Sequence, residues 1–119
     1  MREARKPAVV AREAPQLTPF SLTPLAVRDL EEIWDYIALD NLQAALRVTN
    51  QIELVTRRLA RSPHIGHLRE DLTDRGHRFY LVYSYLVVYR PGFRPLQIVR
   101  VLHAAGDIRE ILAKDADDS

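Results

Sequence analysis

The chain has 119 residues, 47% of them hydrophobic and 28% charged, with a formal net charge of +1 and no cysteine. That length supports one domain around a single core, and the composition is that of an ordinary globular protein rather than a disordered or fibrous one. Without cysteine there can be no disulfide or thiolate metal site, which fits a reducing compartment. No apolar run approaches the roughly 20 residues of a membrane span, and no apolar signal segment is expected at the N-terminus.

The small net charge hides an uneven distribution. Residues 17–56 carry two basic side chains (Arg28, Arg47) against six acidic ones (Asp29, Glu31, Glu32, Asp35, Asp40, Glu53), a net of −4. Residues 57–109 carry ten arginines against Glu70, Asp71, Asp74 and Asp107, a net of +6. The acidic half has helical periodicity and the basic half is mostly strand-like. Such polarity suits a partner of negative potential on the basic side, or arginines that merely solvate strand edges.

In chain order, residues 1–16 show no sustained period and contain two prolines, Pro7 and Pro15. They are expected to form a flexible, mildly basic arm. Residues 17–22 suit a short strand at or near an edge, because Pro19 cannot donate a ladder hydrogen bond. Thr23 and Pro24 then supply an N-cap oxygen and a preset φ for a helix to about Leu39. Ala26, Leu30, Ile33, Trp34 and Ile37 form its apolar stripe, with Trp34 as a core anchor. Asp40 or Asn41 can cap a second helix, whose stripe is Ala45, Val48, Ile52, Val55 and Leu59 and whose stop is Ser62-Pro63. So short a connection predicts an antiparallel αα-hairpin.

A polar loop leads into a short strand around Leu68–Leu72, and Asp74-Arg75-Gly76 makes the next turn. Strands follow over about His77–Tyr83, Tyr85–Arg90 and Leu96–His103, rich in the β-branched and aromatic residues that suit a pleated surface. Simple alternation places Ile98, Arg100 and Leu102 on one face of the last strand and Val99, Val101 and His103 on the other. Arg100, in so apolar a strand, requires a carboxylate or carbonyl partner, since a lone buried charge costs several kcal/mol. Asp107 caps a last short helix, Ile108–Lys114, before an acidic tail at 115–119.

The chemistry-bearing residues leave two readings open. RNA cleavage needs a base, an acid and a cation on the phosphate, and His67 or Glu70, His103, and Arg90 or Arg100 are of the right types. A binding surface is the alternative: Tyr80, Tyr83, Tyr85 and Tyr89 beside Arg78, Arg90 and Arg94 could stack and pair with nucleic acid, or the tyrosines could simply pack across strands. His64 and His67 lack the further ligands of a metal site, and no phosphate loop, nucleophile elbow or dinucleotide fingerprint calls for a cofactor. With Lys6 and Lys114 the only lysines, phosphate contacts would fall to arginine.

The strings LTPLAVRDLEEIWDYIA, LARSPHIGHLREDL, RFYLVYSYLVVYR and IVRVLHAAGDI, in the order strand, αα-hairpin and antiparallel strands, resemble the RelE/ParE superfamily of bacterial toxins. The similarity spans about Leu17–Leu112 and is most like the ParE branch, on Arg100-Val101-Leu102-His103 followed by Asp107. It implies an α+β fold: an antiparallel sheet of four or five strands, the αα-hairpin on one face and a short C-terminal helix. The toxin domain would be residues 17–114. The implied function is the toxin of a type II toxin–antitoxin pair, cytoplasmic, inhibiting DNA gyrase without chemistry of its own and held in a hetero-oligomer by a cognate antitoxin. Arg69, Arg78, Tyr80, Arg90, Arg100, His103 and Asp107 are the expected target- or partner-binding residues. The alternatives are a ribosome-dependent mRNA endonuclease of RelE type, whose lysine-rich site this chain lacks, or an inactive antitoxin-bound remnant. Relatives commonly carry arginine directly before the aspartate. Gly106 stands there in this chain, which implies weakened toxicity.

Overall fold

The computed structural model describes residues 19–118, apart from the side chain of Asp118; the arm expected over 1–16 lies outside them. Strand β1 (Phe20–Leu22) leads through Thr23 into helix α1 (Pro24–Ala38), and Asn41 opens helix α2 (Leu42–Arg61). Strands β2 (His67–Leu68), β3 (Arg78–Val82), β4 (Tyr85–Arg90) and β5 (Leu96–His103) follow, and helix α3 (Ile108–Asp118) ends the chain. The five strands lie in the order β1-β5-β4-β3-β2. All neighbours are antiparallel except β1, which runs parallel to β5 at the sheet's edge. Among the described residues no helix is long and apolar enough to cross a membrane.

The helix starts follow the local chemistry. Thr23 Oγ1 accepts from Ala26 N (3.1 Å) and Asn41 Oδ1 from Ala44 N (3.0 Å), each satisfying a donor that a helix leaves unpaired at its first turn. The α1 stripe Ala26, Leu30, Ile33 and Trp34 and the α2 stripe Ala45, Ile52, Val55 and Leu59 are buried against Val82, Val87, Tyr89, Leu96, Ile98 and Val101 of the sheet. Thr49 and Thr56 also enter this core, and their hydroxyls donate to the carbonyls of Ala45 and Glu53 at 2.8 Å, so neither is left unsatisfied. A second, smaller core lies across the sheet, where Ile108 and Leu112 of α3 cover Phe79, Leu86, Val88 and Leu102.

Three expectations are corrected. The strand expected over Leu68–Leu72 stops at Leu68, because the amides of Leu72 and Thr73 turn back to the Arg69 carbonyl at 2.9 and 3.0 Å. The acidic tail expected at 115–119 is helical through Asp118. Strict alternation along β5 fails at a bulge: Tyr89 pairs with Ile98 but Val88 with Arg100, so Val99 is the extra residue. Ile98 and Val101 consequently face the same core, while Val99 and Leu102 face the other.

Candidate partner-binding cleft

Two side chains of the central strands set the path of the loop after α2. The Tyr89 hydroxyl donates to the Pro63 carbonyl (2.6 Å) and accepts from Gly66 N (2.9 Å). Arg78 Nη1 donates to the Gly66 carbonyl at 2.7 Å. Gly66 has to be glycine, since a Cβ there would lie 2.8 Å from the Tyr89 ring and 3.0 Å from the Phe79 carbonyl. This clamp delivers β2 to the edge of β3 and projects His67, Leu68 and Arg69 into solvent.

At the other end of the sheet the chain leaves β5 through a tight exit. Ala104 N donates to the Ser84 carbonyl (2.7 Å), Gly106 N to the His103 carbonyl (2.9 Å) and Ala105 N to His103 Nδ1 (3.0 Å). Asp107 then starts α3, its carbonyl accepting from Ile111 N and its carboxylate from Glu110 N at the longer 3.4 Å. Between the exit and β2 lies a cleft of about 340 Å³, with Phe79, Leu81 and Leu86 among its apolar lining and His67 and Arg69 among its polar residues. Gly106 and Ile108 line its side towards α3. Arg69 also holds Asp71 through two hydrogen bonds, which keeps that exposed carboxyl below its ordinary pKa.

Of the candidate acid–base residues only His67 lines this cleft; Arg100 and His103 share another, beyond the β5 exit. His67 and Arg100 occupy one row across the sheet, through Phe79 and Val88. They are three strand spacings apart, about 14 Å. Arg90 lies at the far end of β4 from Tyr85, the residue paired with His103, roughly 17 Å along the strand. Glu70 lines a separate cleft with Asp74 and Arg109.

The expected binding residues divide in the same way. Arg69, His103 and Asp107 are exposed, and only Arg69 enters the cleft described above. Arg78 is committed to the Gly66 carbonyl, Tyr80 packs against the larger core, and Arg90 lies 5.0 Å over the Phe93 ring. Arg100 is bound on two sides, to Asp29 through Nε and Nη2 (2.7 and 2.8 Å) and to Asp115 through Nη1 (2.8 Å). These carboxylates raise its pKa against the opposing effect of burial. Tyr85 and Tyr89 are buried, so across β4 packing accounts for the tyrosines rather than a stacking surface.

The sequence analysis missed the role of Asp29. Three residues beyond Ala26 and four before Ile33, it lies on the buried stripe. A carboxylate there was the available sign that an arginine elsewhere would meet it.

The model of the ParE toxin of the type II toxin–antitoxin system parDE matches residues 20–108. Among curated proteins none matches the sequence. A solved chain described as the chromosomal ParDE toxin–antitoxin system from P. aeruginosa is similar to it, with a TM-score of 0.59 and 23% identity over 71% of this chain and 92% of that one. At that identity the likeness shows a shared fold, and the family rests on the match over most of the chain. The protein belongs to the ParE toxin family of type II toxin–antitoxin systems.

Proposed function

We propose that this ParE-family toxin acts in the cytoplasm by occupying DNA gyrase, without a reaction of its own, and that a cognate antitoxin holds it inactive in a hetero-oligomer. The observation that supports binding over catalysis is that His67, Glu70 and Arg90 all lie outside the cleft that Arg100 and His103 share, with Arg100 there taken up by two carboxylates. The gyrase target comes from the resemblance to the ParE branch. For the antitoxin, the exposed Leu42 and Leu54 of the αα-hairpin and the cleft floor at Leu81 offer apolar surface. Arg69 at the cleft, once released from Asp71, would pair with an acidic side chain on that partner.

The purified protein, tested in a gyrase supercoiling assay and in a ribosome-programmed mRNA cleavage assay, discriminates the readings. Inhibited supercoiling with intact message, relieved by the antitoxin, is expected. Cleaved message with supercoiling unaffected would establish the endonuclease instead. Silence in both assays would mark an antitoxin-bound remnant whose fold has outlived its target surface.

A further inference from the structure

A second cleft, of about 430 Å³, opens on the other side of the β5 exit, between α1, the ends of β4 and β5, and α3. Tyr36, Tyr85, His103 and Glu32 line it, with Ile33 and Ile111 as apolar wall. The Tyr85 and His103 rings meet edge to face, 5.4 Å apart and inclined at 77°. Tyr36 is 76% exposed at the mouth, whereas Tyr85 is only 9% exposed. No group among the described residues hydrogen-bonds the Tyr85 hydroxyl, although the side chain is nine-tenths buried and lines the cleft. His77 Nδ1 is the enclosed polar atom left without a partner among the described residues, so the Tyr85 oxygen opens on the cleft, where an entering donor can reach it.

The electrostatics say what that is. Among the described residues that line the cleft, Arg100 already faces two carboxylates, so the Asp29–Arg100–Asp115 group keeps a net negative charge. Glu32 adds another. The first cleft differs, for no carboxylate is among its described lining residues and Arg69 there is met by Asp71 alone. An acidic segment would be repelled here. A guanidinium, planar and rich in donors, would stack on the Tyr36 ring, donate to the Tyr85 hydroxyl oxygen and pair with Glu32.

We infer that the Tyr36–Tyr85–His103–Glu32 cleft is a docking pocket for an arginine side chain on a basic segment of a partner protein. It lies apart from the His67–Arg69 cleft, so it does not depend on the gyrase or antitoxin assignments.

The test uses the full chain, labelled for NMR, with a synthetic Arg-Leu-Ala repeat peptide and a counterpart carrying glutamate for arginine. The arginine peptide is expected to shift the resonances of Tyr36, Tyr85 and His103, and to bind more weakly as salt rises. Tyr36→Ala and Glu32→Gln, both at exposed helix positions, are each expected to weaken it roughly tenfold. Equal binding of the glutamate peptide, shifts confined to other surfaces, or indifference to both substitutions would overturn the proposal. If the same resonances shift on concentrating the protein alone, and Tyr36→Ala abolishes this, the occupant is a second copy of the chain and a separate basic partner is ruled out.

Discussion

The carboxylate of Asp29 receives the guanidinium of Arg100 through both oxygens, at 2.7 and 2.8 Å, and the same Oδ2 accepts the backbone amide of Val101 at 2.9 Å. A helix side chain thereby takes the place of a strand. β1 pairs with β5 only as far as Ile98, and beyond the bulge the outer edge of β5 would have no partner for the Val101 amide. Thr23 secures the same junction, its hydroxyl donating to the Val99 carbonyl at 2.7 Å while it caps α1. The helical hairpin is thus fastened to the sheet by hydrogen bonds and charge as well as by apolar packing.

Asp29→Ala leaves the Arg100 charge largely buried and half its partners gone, and leaves Val101 N unpaired. The expected loss is about 3–5 kcal/mol. Asp115→Ala removes the more exposed partner and should cost less, about 1 kcal/mol. Urea unfolding monitored by the fluorescence of Trp34 measures both. Equal losses would show that the two carboxylates carry the guanidinium equally.

The Tyr89 hydroxyl bridges two loop groups from inside the core. Tyr89→Phe is expected to destabilise by about 1–3 kcal/mol, since Pro63 O and Gly66 N lose a buried partner without any change in apolar volume. Gly66→Ala should cost a similar amount by displacing the ring. Because both act on one contact, the double variant should cost clearly less than the sum of the two. Thermal unfolding of the three variants checks this.

His77 is 4% exposed with no partner for Nδ1, and burial, then Arg90 and Arg75, hold its pKa below the ordinary value of 6.5. Below that value the unfolded chain binds a proton that the native protein resists. Its contribution to stability is therefore complete above pH 6.5 and is lost as pH falls towards the native pKa. The slope in that window is up to about 1.4 kcal/mol per pH unit. His77→Gln should flatten the dependence just below pH 6.5; an unchanged slope would assign it to other groups.

Gly106 adopts no left-handed backbone angle, and a Cβ there would lie 3.2 Å from the His103 carbonyl, so a side chain needs a shift of only a few tenths of an ångström. Gly106→Arg is therefore expected to fold. It would add a cation at the His67–Arg69 cleft and strengthen growth inhibition in cells expressing the toxin without its antitoxin. Unchanged growth at equal protein level would show that Gly106 does not limit toxicity.

Much of the fold was legible in local order. Thr23 and Asn41 mark helix starts because their side chains accept from amides three residues on, and the apolar stripes recur at a spacing that only a helix turns into one face. Gly76, with φ +80°, ends the loop before β3 as its type suggests. The need of Arg100 for a carboxylate was also legible, because a buried charge imposes it wherever the partner lies.

Which carboxylate meets Arg100 was not legible, for Asp29 and Asp115 are 71 and 15 residues away and only the packing of α1 and α3 brings them in. The bulge at Val99 was equally hidden. It arises where the register of β4 on β5 meets the anchoring of Thr23, and one extra residue exchanges the faces of everything beyond it. The same holds for the two clefts on either side of the β5 exit. Residue types alone scatter His67, Arg69, Glu32, Tyr36 and Tyr85 along 54 positions; the closing of α3 over the sheet sorts them into two clefts, one of them acidic. Most elements, though not the extent of β2 or of α3, are set by interactions spanning a few residues and can be read along the chain. The tertiary structure alone decided which charges cancel and which remain to meet a partner, because that depends on distances through space between segments far apart in the chain.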